Sequence, residues 1–329
     1  MGCDCVNHLP AGTKMKDVAE FLQILGYDVG RPTVFDGMVI QGGHFYRDED
    51  YKFFTGIELF IYVKDNRISV ETRTPIWRTK WDSDFHNFTV KQLRKRFGGK
   101  FHSDYGKGRY LKYNGHIHTP SESGCRHAYF KLHNEISTSK SYLNFLGGLS
   151  RDVDSSVETL YQLVPKSNPF VVSANLFLPS IVAVIEEYFK SIYIALLKYS
   201  TRKLSVLKNS KVNGDDLLSI STGELTVEGA IVKSMSFQNI GKVCFYVKEL
   251  DNSLDIAGEL RKPQKGRKEN YFDALNRILN QRHELIHRNK FEADYDVNLA
   301  RKDLETVEEA LLYFYEHLIR HYGWNERDL

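Results

Sequence analysis

Apolar and polar positions alternate differently in the two halves of this chain of 329 residues. Over residues 14 to 26, Val18, Phe21, Leu22 and Leu25 recur at helical spacing with Gly26 at the end, which predicts a short helix. The period then shortens. Phe54 to Tyr62 and Arg67 to Thr72 are β-rich runs joined by Lys64-Asp65-Asn66, a turn sequence, with Thr72-Arg73-Thr74 carrying the second strand on to Pro75. Val90 to Phe97 reads as a basic helix stopped by Gly98 and Gly99, and Phe101 to Tyr113 as turn and strand. Tyr129 to Leu146 reads as a helix ending at Gly147-Gly148, with Leu149 to Asp154 as the connection onward. The expectation is an α+β N-terminal domain over residues 1–147.

From residue 148 to 329 the pattern is almost wholly helical, predicting an all-α helical bundle. Pro179 precedes Ile181, Val182, Ile185, Tyr188, Phe189, Ile192 and Leu196, a broad apolar face with the proline placed near the first turn. Ser236 to Leu250 buries Ile240, Val243, Tyr246, Val247 and Leu250; in Asn270 to His287, Phe272, Leu275, Leu279 and Ile286 recur at three- and four-residue steps, joined by Ile278 and Leu285. Val307, Leu311, Leu312, Phe314, Tyr315, Leu318 and Ile319 mark the last helix. Four long helices make a four-helix bundle the economical architecture.

Charge narrows function little. With 45 Lys and Arg against 42 Asp and Glu the formal charge is +3, so a nucleic-acid partner must be met by local patches. Four cysteines in a chain of this length are no disulfide framework, and the sequence reads as cytoplasmic, without a signal peptide or membrane span. Met1-Gly2-Cys3-Asp4-Cys5 suggests acylation, but Val6 stands where Ser or Thr is expected. Cys3, Cys5 and His8 lack the second cysteine pair of a zinc signature, leaving a mobile, reactive N-terminus as the expectation. The stretch from Phe97 to Tyr110 interleaves glycines, aromatics and cations, without the spacing of a Walker loop, and reads as a surface hairpin or a nucleic-acid contact through Arg94, Lys95, Arg96, Lys100, Lys107 and Arg109.

The densest chemistry is Arg282-His283-Glu284-Leu285-Ile286-His287-Arg288-Asn289. Two readings stay open beside a plain charged helix face. His283, Glu284 and His287 satisfy H-E-x-x-H, in which two histidines hold zinc and the glutamate activates its water; Glu305, Glu308 or Glu309 is the third ligand this requires. Arg282 and Arg288 flank that site with cations, which is electrostatically unhelpful to a dication. Alternatively, Arg282 and His287 fit an R-x4-6-H spacing. So do Arg96 with His102, Arg109 with His116, Arg126 with His133, and Arg277 with His283, so spacing alone decides nothing.

The longer string Arg-His-Glu-Leu-Ile-His-Arg-Asn resembles the HEPN superfamily of all-helical domains, many of them metal-independent ribonucleases, over about residues 151 to 329. The resemblance implies an endoribonuclease without a cofactor, in which Arg282 and His287 are catalytic, His283 assists, and Glu186 of Ile185-Glu186-Glu187-Tyr188-Phe189 faces the motif. It also implies a homodimer with sites built across a two-fold axis, a toxin or antiviral role, and an antitoxin or trigger met by the N-terminal domain. A catalytically silent HEPN module is the further alternative.

The chemistry suits those residue types. RNA carries its own nucleophile, the 2′-hydroxyl. Histidine, with an ordinary pKa of about 6.5, moves protons near neutrality, and the arginine fork holds two phosphate oxygens. Arg288 and Asn289, with Arg261, Lys262, Lys265, Arg267 and Lys268 just upstream, are the candidate RNA contacts; the upstream run reads equally as a solvated linker. At about 100° per residue, positions 282 and 287 lie about 140° apart around the helix, whereas 283 and 287 lie about 40° apart.

Overall fold

The computed structural model describes residues 2–47, 50–151, 161, 164–288 and 290–325. The chain divides into two compact units, Met1–Ser123 and Gly124–Leu329. The division falls earlier than residue 147, because the helix α3 runs unbroken from Pro120 to Arg151. Gly147 does not stop it. A Cβ there would come within 2.8 Å of an Arg301 guanidinium nitrogen, and that guanidinium donates to the Leu143 carbonyl at 3.3 Å; the glycine makes room for a side chain lying on the helix backbone. The expected connection from Leu149 to Asp154 lies largely outside the described residues.

The first unit is an antiparallel sheet with two helices, α1 (Met15–Ile24) and α2 (Lys80–Phe97). Its strands are β1 (Cys3–His8), β2 (Asp28–Val29), β3 (Thr33–Phe35), β4 (Met38–Phe45), β5 (Ile57–Lys64), β6 (Arg67–Thr74), β7 (Lys100–Ser103) and β8 (Gly106–Lys107). They are ordered β2-β4-β5-β6-β1-β7-β8, with β3 also paired to β4. The expected hairpin is β5 and β6, turned by Asp65 and Asn66 in the left-handed region at φ 49° and 57°. One face of the sheet, carrying Ile57, Leu59, Ile61, Ile68 and Val70, packs on Val18 and Leu22 of α1 and Leu93 of α2.

The N-terminal segment is not mobile: β1 sits between β6 and β7. Cys3, Cys5 and Asn7 point inward and are buried, while Asp4, Val6 and His8 point outward. Burial, aided by the Asp104 carboxylate, pushes the Cys5 thiol up to about 12, so the expected reactivity is absent. The alternation also separates Cys3 and Cys5 from His8, which dissolves that metal grouping.

The helix α2 begins ten residues before Val90 because Thr79 and Asp82 form a capping box. The buried Asp82 carboxylate also accepts from the backbone of Phe54, Thr55 and Gly56, tying the loop before β5 to the start of α2. Gly98 and Gly99 end it; at φ 87° Gly99 lies so close to β1 that a Cβ would be 2.2 Å from the His8 carbonyl oxygen. The expected surface hairpin follows as β7 and β8. On the inner face, buried His86 sits between Thr72 (2.7 Å) and Thr74 (3.3 Å).

The second unit is helical. Beyond α3 it comprises α4 (Pro169–Tyr199), α5 (Lys203–Asn209), α6 (Gly214–Ser221), α7 (Val227–Lys233), α8 (Ile240–Leu250), α9 (Ile256–Leu260), α10 (Tyr271–His287) and α11 (Val297–Tyr322). The core helix is α4, packed by α7, α8, α10 and α11. It is long and apolar enough to cross a membrane, contrary to the sequence expectation that no such span exists, and here Ile181, Ile185, Phe189, Ile192 and Tyr193 are buried in the bundle. Asn168 caps it with Pro169 in the first turn, so Pro179 lies inside the helix, where it has no N–H for the Asn175 carbonyl. The Phe189 and Phe314 rings meet edge to face at 5.2 Å between α4 and α11, and Tyr129 of α3 stacks on Tyr315 at 4.7 Å.

Candidate active site

The motif helix α10 starts at Asn270, whose side chain accepts from the Asp273 backbone, and buries Phe272, Leu275, Ile278 and Leu279. That apolar stripe runs out at Arg282, which is half-buried; its Nε is enclosed without a hydrogen-bond partner and, among the described residues, it makes no ion pair. His283 and His287 emerge on another side. Both are exposed, with ring centroids 4.6 Å apart and planes at 42°. Glu284 turns away from them to Arg288, 3.0 Å from its guanidinium.

After the helix the chain is anchored to α4 by Asn175. Buried Asn175 of α4 donates to the carbonyls of Glu292 (2.9 Å) and Tyr295 (3.4 Å), and its oxygen accepts from the Glu292 N–H (3.1 Å). Asn289 lies outside the described residues.

Among the described residues the bundle does not bring a third metal ligand to the two histidines. Glu308 pairs with Lys140 and Glu309 with Arg267, and among the described residues no group of three His, Cys, Asp or Glu side chains is placed to hold an ion. Glu186 is also apart. It is about three turns along α4 from Asn175, the residue anchoring the segment beyond α10, and no hydrogen bond or ion pair joins it to Arg282, His283 or His287.

The competing arginine and histidine pairs separate on structural grounds. Arg96 and His102 lie on a helix and a strand, and Arg109 and His116 outside helices. Arg126 is buried over the Phe130 ring while His133 is exposed. Arg277 is fixed by Asp303 at 2.9 Å and Glu269 at 3.3 Å.

The upstream cations divide in the same way. Arg261 covers Phe272, its guanidinium carbon 3.8 Å from the ring centre; Lys262 pairs with Glu259 at 2.6 Å; Arg267 bonds Thr306 and pairs with Glu309. These three are engaged within the chain, Arg261 and Lys262 at its surface. Lys265 and Lys268 are exposed and line a cleft of about 970 Å³ between the 264–269 loop, α10 and α11. Lys302, which sequence reasoning missed, faces the cleft from α11. Its floor is buried Asp303, bridging Arg277 and the Tyr295 hydroxyl (3.1 Å); burial and that carboxylate push the Tyr295 phenol well up, keeping it a neutral donor. Arg282, His283 and His287 do not line this cleft.

The end of α10 thus offers two adjacent, solvent-accessible imidazoles and a nearby cation on a different side of the helix. Two imidazoles can divide proton removal and proton donation between them. No protein-family model, curated protein or solved structure matches the chain.

Proposed function

We propose that the chain is a metal-independent endoribonuclease of the HEPN type, acting in the cytoplasm as a toxin or antiviral effector. The observation that carries this reading is the exposed His283 and His287 pair on the same helix end as Arg282, an arginine without an ion pair among the described residues. One imidazole takes the 2′-hydroxyl proton, O2′ attacks phosphorus, and the P–O5′ bond breaks as the other imidazole protonates the leaving oxygen. The products are a 2′,3′-cyclic phosphate and a 5′-hydroxyl. The Arg282 guanidinium stabilises the charge that develops on the phosphoryl oxygens.

Because Arg282 leaves α10 on a different side from His287, the reading includes a homodimer in which two α10 ends meet and each supplies what the other lacks. Lys265, Lys268 and Arg288 are the exposed cations proposed to hold flanking phosphates. Incubating purified protein with total RNA, with and without excess EDTA, tests the reading. Cleavage that survives chelation and leaves cyclic-phosphate ends is expected. Stoichiometric zinc on both histidines with chelator-sensitive peptide hydrolysis would replace it with the peptidase reading, and RNA binding without cleavage with that of a silent module.

A further inference from the structure

The two helices of the first unit pack on one face of its sheet, and the register of the strands shows what the other face carries. One cross-strand row reads Ile40, Tyr62, Ser69, His8 and Lys100; the next reads Gly42, Phe60, Glu71, Val6, His102 and Lys107. Phe60, at 40 % exposure, lies over Gly42, where a Cβ would already touch its ring at 3.4 Å. The rings are paired and nearly parallel: Phe60 with Tyr62 at 6.1 Å and 28°, His8 with His102 at 5.3 Å and 27°. Between the two pairs runs β6, whose small Ser69 leaves a saddle about 10 Å wide, two strand spacings.

Charge on this face is graded. Beyond the Tyr62 row, at the hairpin end, stand Lys64 and Arg67, opposite each other with Asp65 in the turn between them, and Lys100 closes the row itself. Glu71 stands on β6 within the Phe60 row, and at the other end Glu58 and Asp4 flank Arg73.

We propose that this face is a platform for single-stranded RNA, on which unpaired bases stack against the Phe60–Tyr62 and His8–His102 pairs while phosphates meet Lys64, Arg67 and Lys100. The choice of RNA as the nucleic acid rests on the ribonuclease reading of α10; the stacking itself does not. A peptide adding as an extra strand fits less well, because the edge strands β2, β3 and β8 are only two or three residues long.

The test uses the full chain carrying His287→Ala, so that cleavage at the proposed site does not consume the probe, and a fluorescent single-stranded uridine oligonucleotide followed by anisotropy. Phe60→Ala and Tyr62→Ala are each expected to weaken binding about tenfold, the worth of one base stack. Phe60→Leu, which keeps an apolar side chain without a ring, should not restore it. Double-stranded RNA should bind more weakly than the single strand. Photocrosslinking a thiouridine probe to the chain without substitutions at β5 should label β5, β1 or β7. Unchanged affinity on losing either ring, equal binding of the duplex, or crosslinks confined to the second unit would overturn the proposal. Ring-dependent binding without any cleavage would instead strike only at the ribonuclease reading.

Discussion

His283 stands one helical turn before His287 on α10, and their rings lie 4.6 Å apart in solvent. On the proposed ribonuclease reading they reach a bound phosphodiester together, and removing either leaves one proton transfer unassisted. His287→Ala is expected to lower RNA cleavage by about a hundredfold or more and His283→Ala by a smaller factor. Arg282→Lys should fail to rescue, because an ammonium lacks the two-pronged donor. His133→Ala is the control and should leave the rate unchanged. Single-turnover rates on a defined RNA decide this; equal losses at His133 and His287 would mean the wrong pair was chosen.

The half-buried Arg282 and the exposed His287 leave one helix end on different sides, so the proposed site draws on two chains. Activity is expected to follow dimer concentration. Light scattering and specific activity measured over one dilution series provide the check. A protein strictly monomeric where it is fully active contradicts the composite site.

Cations held internally and cations left open should respond differently to removal. Lys265→Ala, Lys268→Ala and Lys302→Ala are each expected to reduce the salt slope of RNA binding by about one while leaving the thermal midpoint nearly fixed. Arg267→Ala removes the hydrogen bond to Thr306 and the contact with Glu309, and should lower the midpoint. Salt titrations paired with thermal melts separate the two effects.

Burial, reinforced by the Arg78 guanidinium and only partly opposed by a hydrogen bond at Thr72, lowers the His86 imidazole from 6.5 to about 3. In this window the unfolded chain binds a proton that the folded one does not. The contribution of His86 is therefore full above pH 6.5 and is lost progressively as pH falls toward 3. His86→Gln should flatten the fall of stability between pH 6.5 and 4 relative to the parent chain. Parallel slopes in urea melts across that range would show that His86 is not the titrating group.

Legibility in the sequence followed how local the determining physics was. The β5 and β6 hairpin declared itself through Asp65 and Asn66, and the spacing of the two histidines correctly placed their rings on one side of α10. The strand β1 was hidden because its buried side is Cys3, Cys5 and Asn7, while its one large aliphatic residue, Val6, faces outward. The first half of α2 was hidden for a related reason: buried Asp82, Ser83 and His86 read as polar until their partners across the fold are known. Which cations were engaged depended on Phe272 for Arg261 and on Thr306 and Glu309 for Arg267, partners that charge patterning along the sequence does not reveal. Gly147 misled because glycine serves close packing as well as helix ends.

The placement of β1 also sets an order of assembly. Its two neighbours are β6, which ends at Thr74, and β7, which ends at Ser103, so a strand made first is flanked by strands made much later. At about 5–20 residues per second of synthesis, its edges wait several seconds for their partners. Pairings over such separations are slow to form. Closure of the sheet around β1 is thus a late event in the birth of the first unit, and substitutions that weaken β7 should show themselves as poor yield of soluble protein before they show as altered activity.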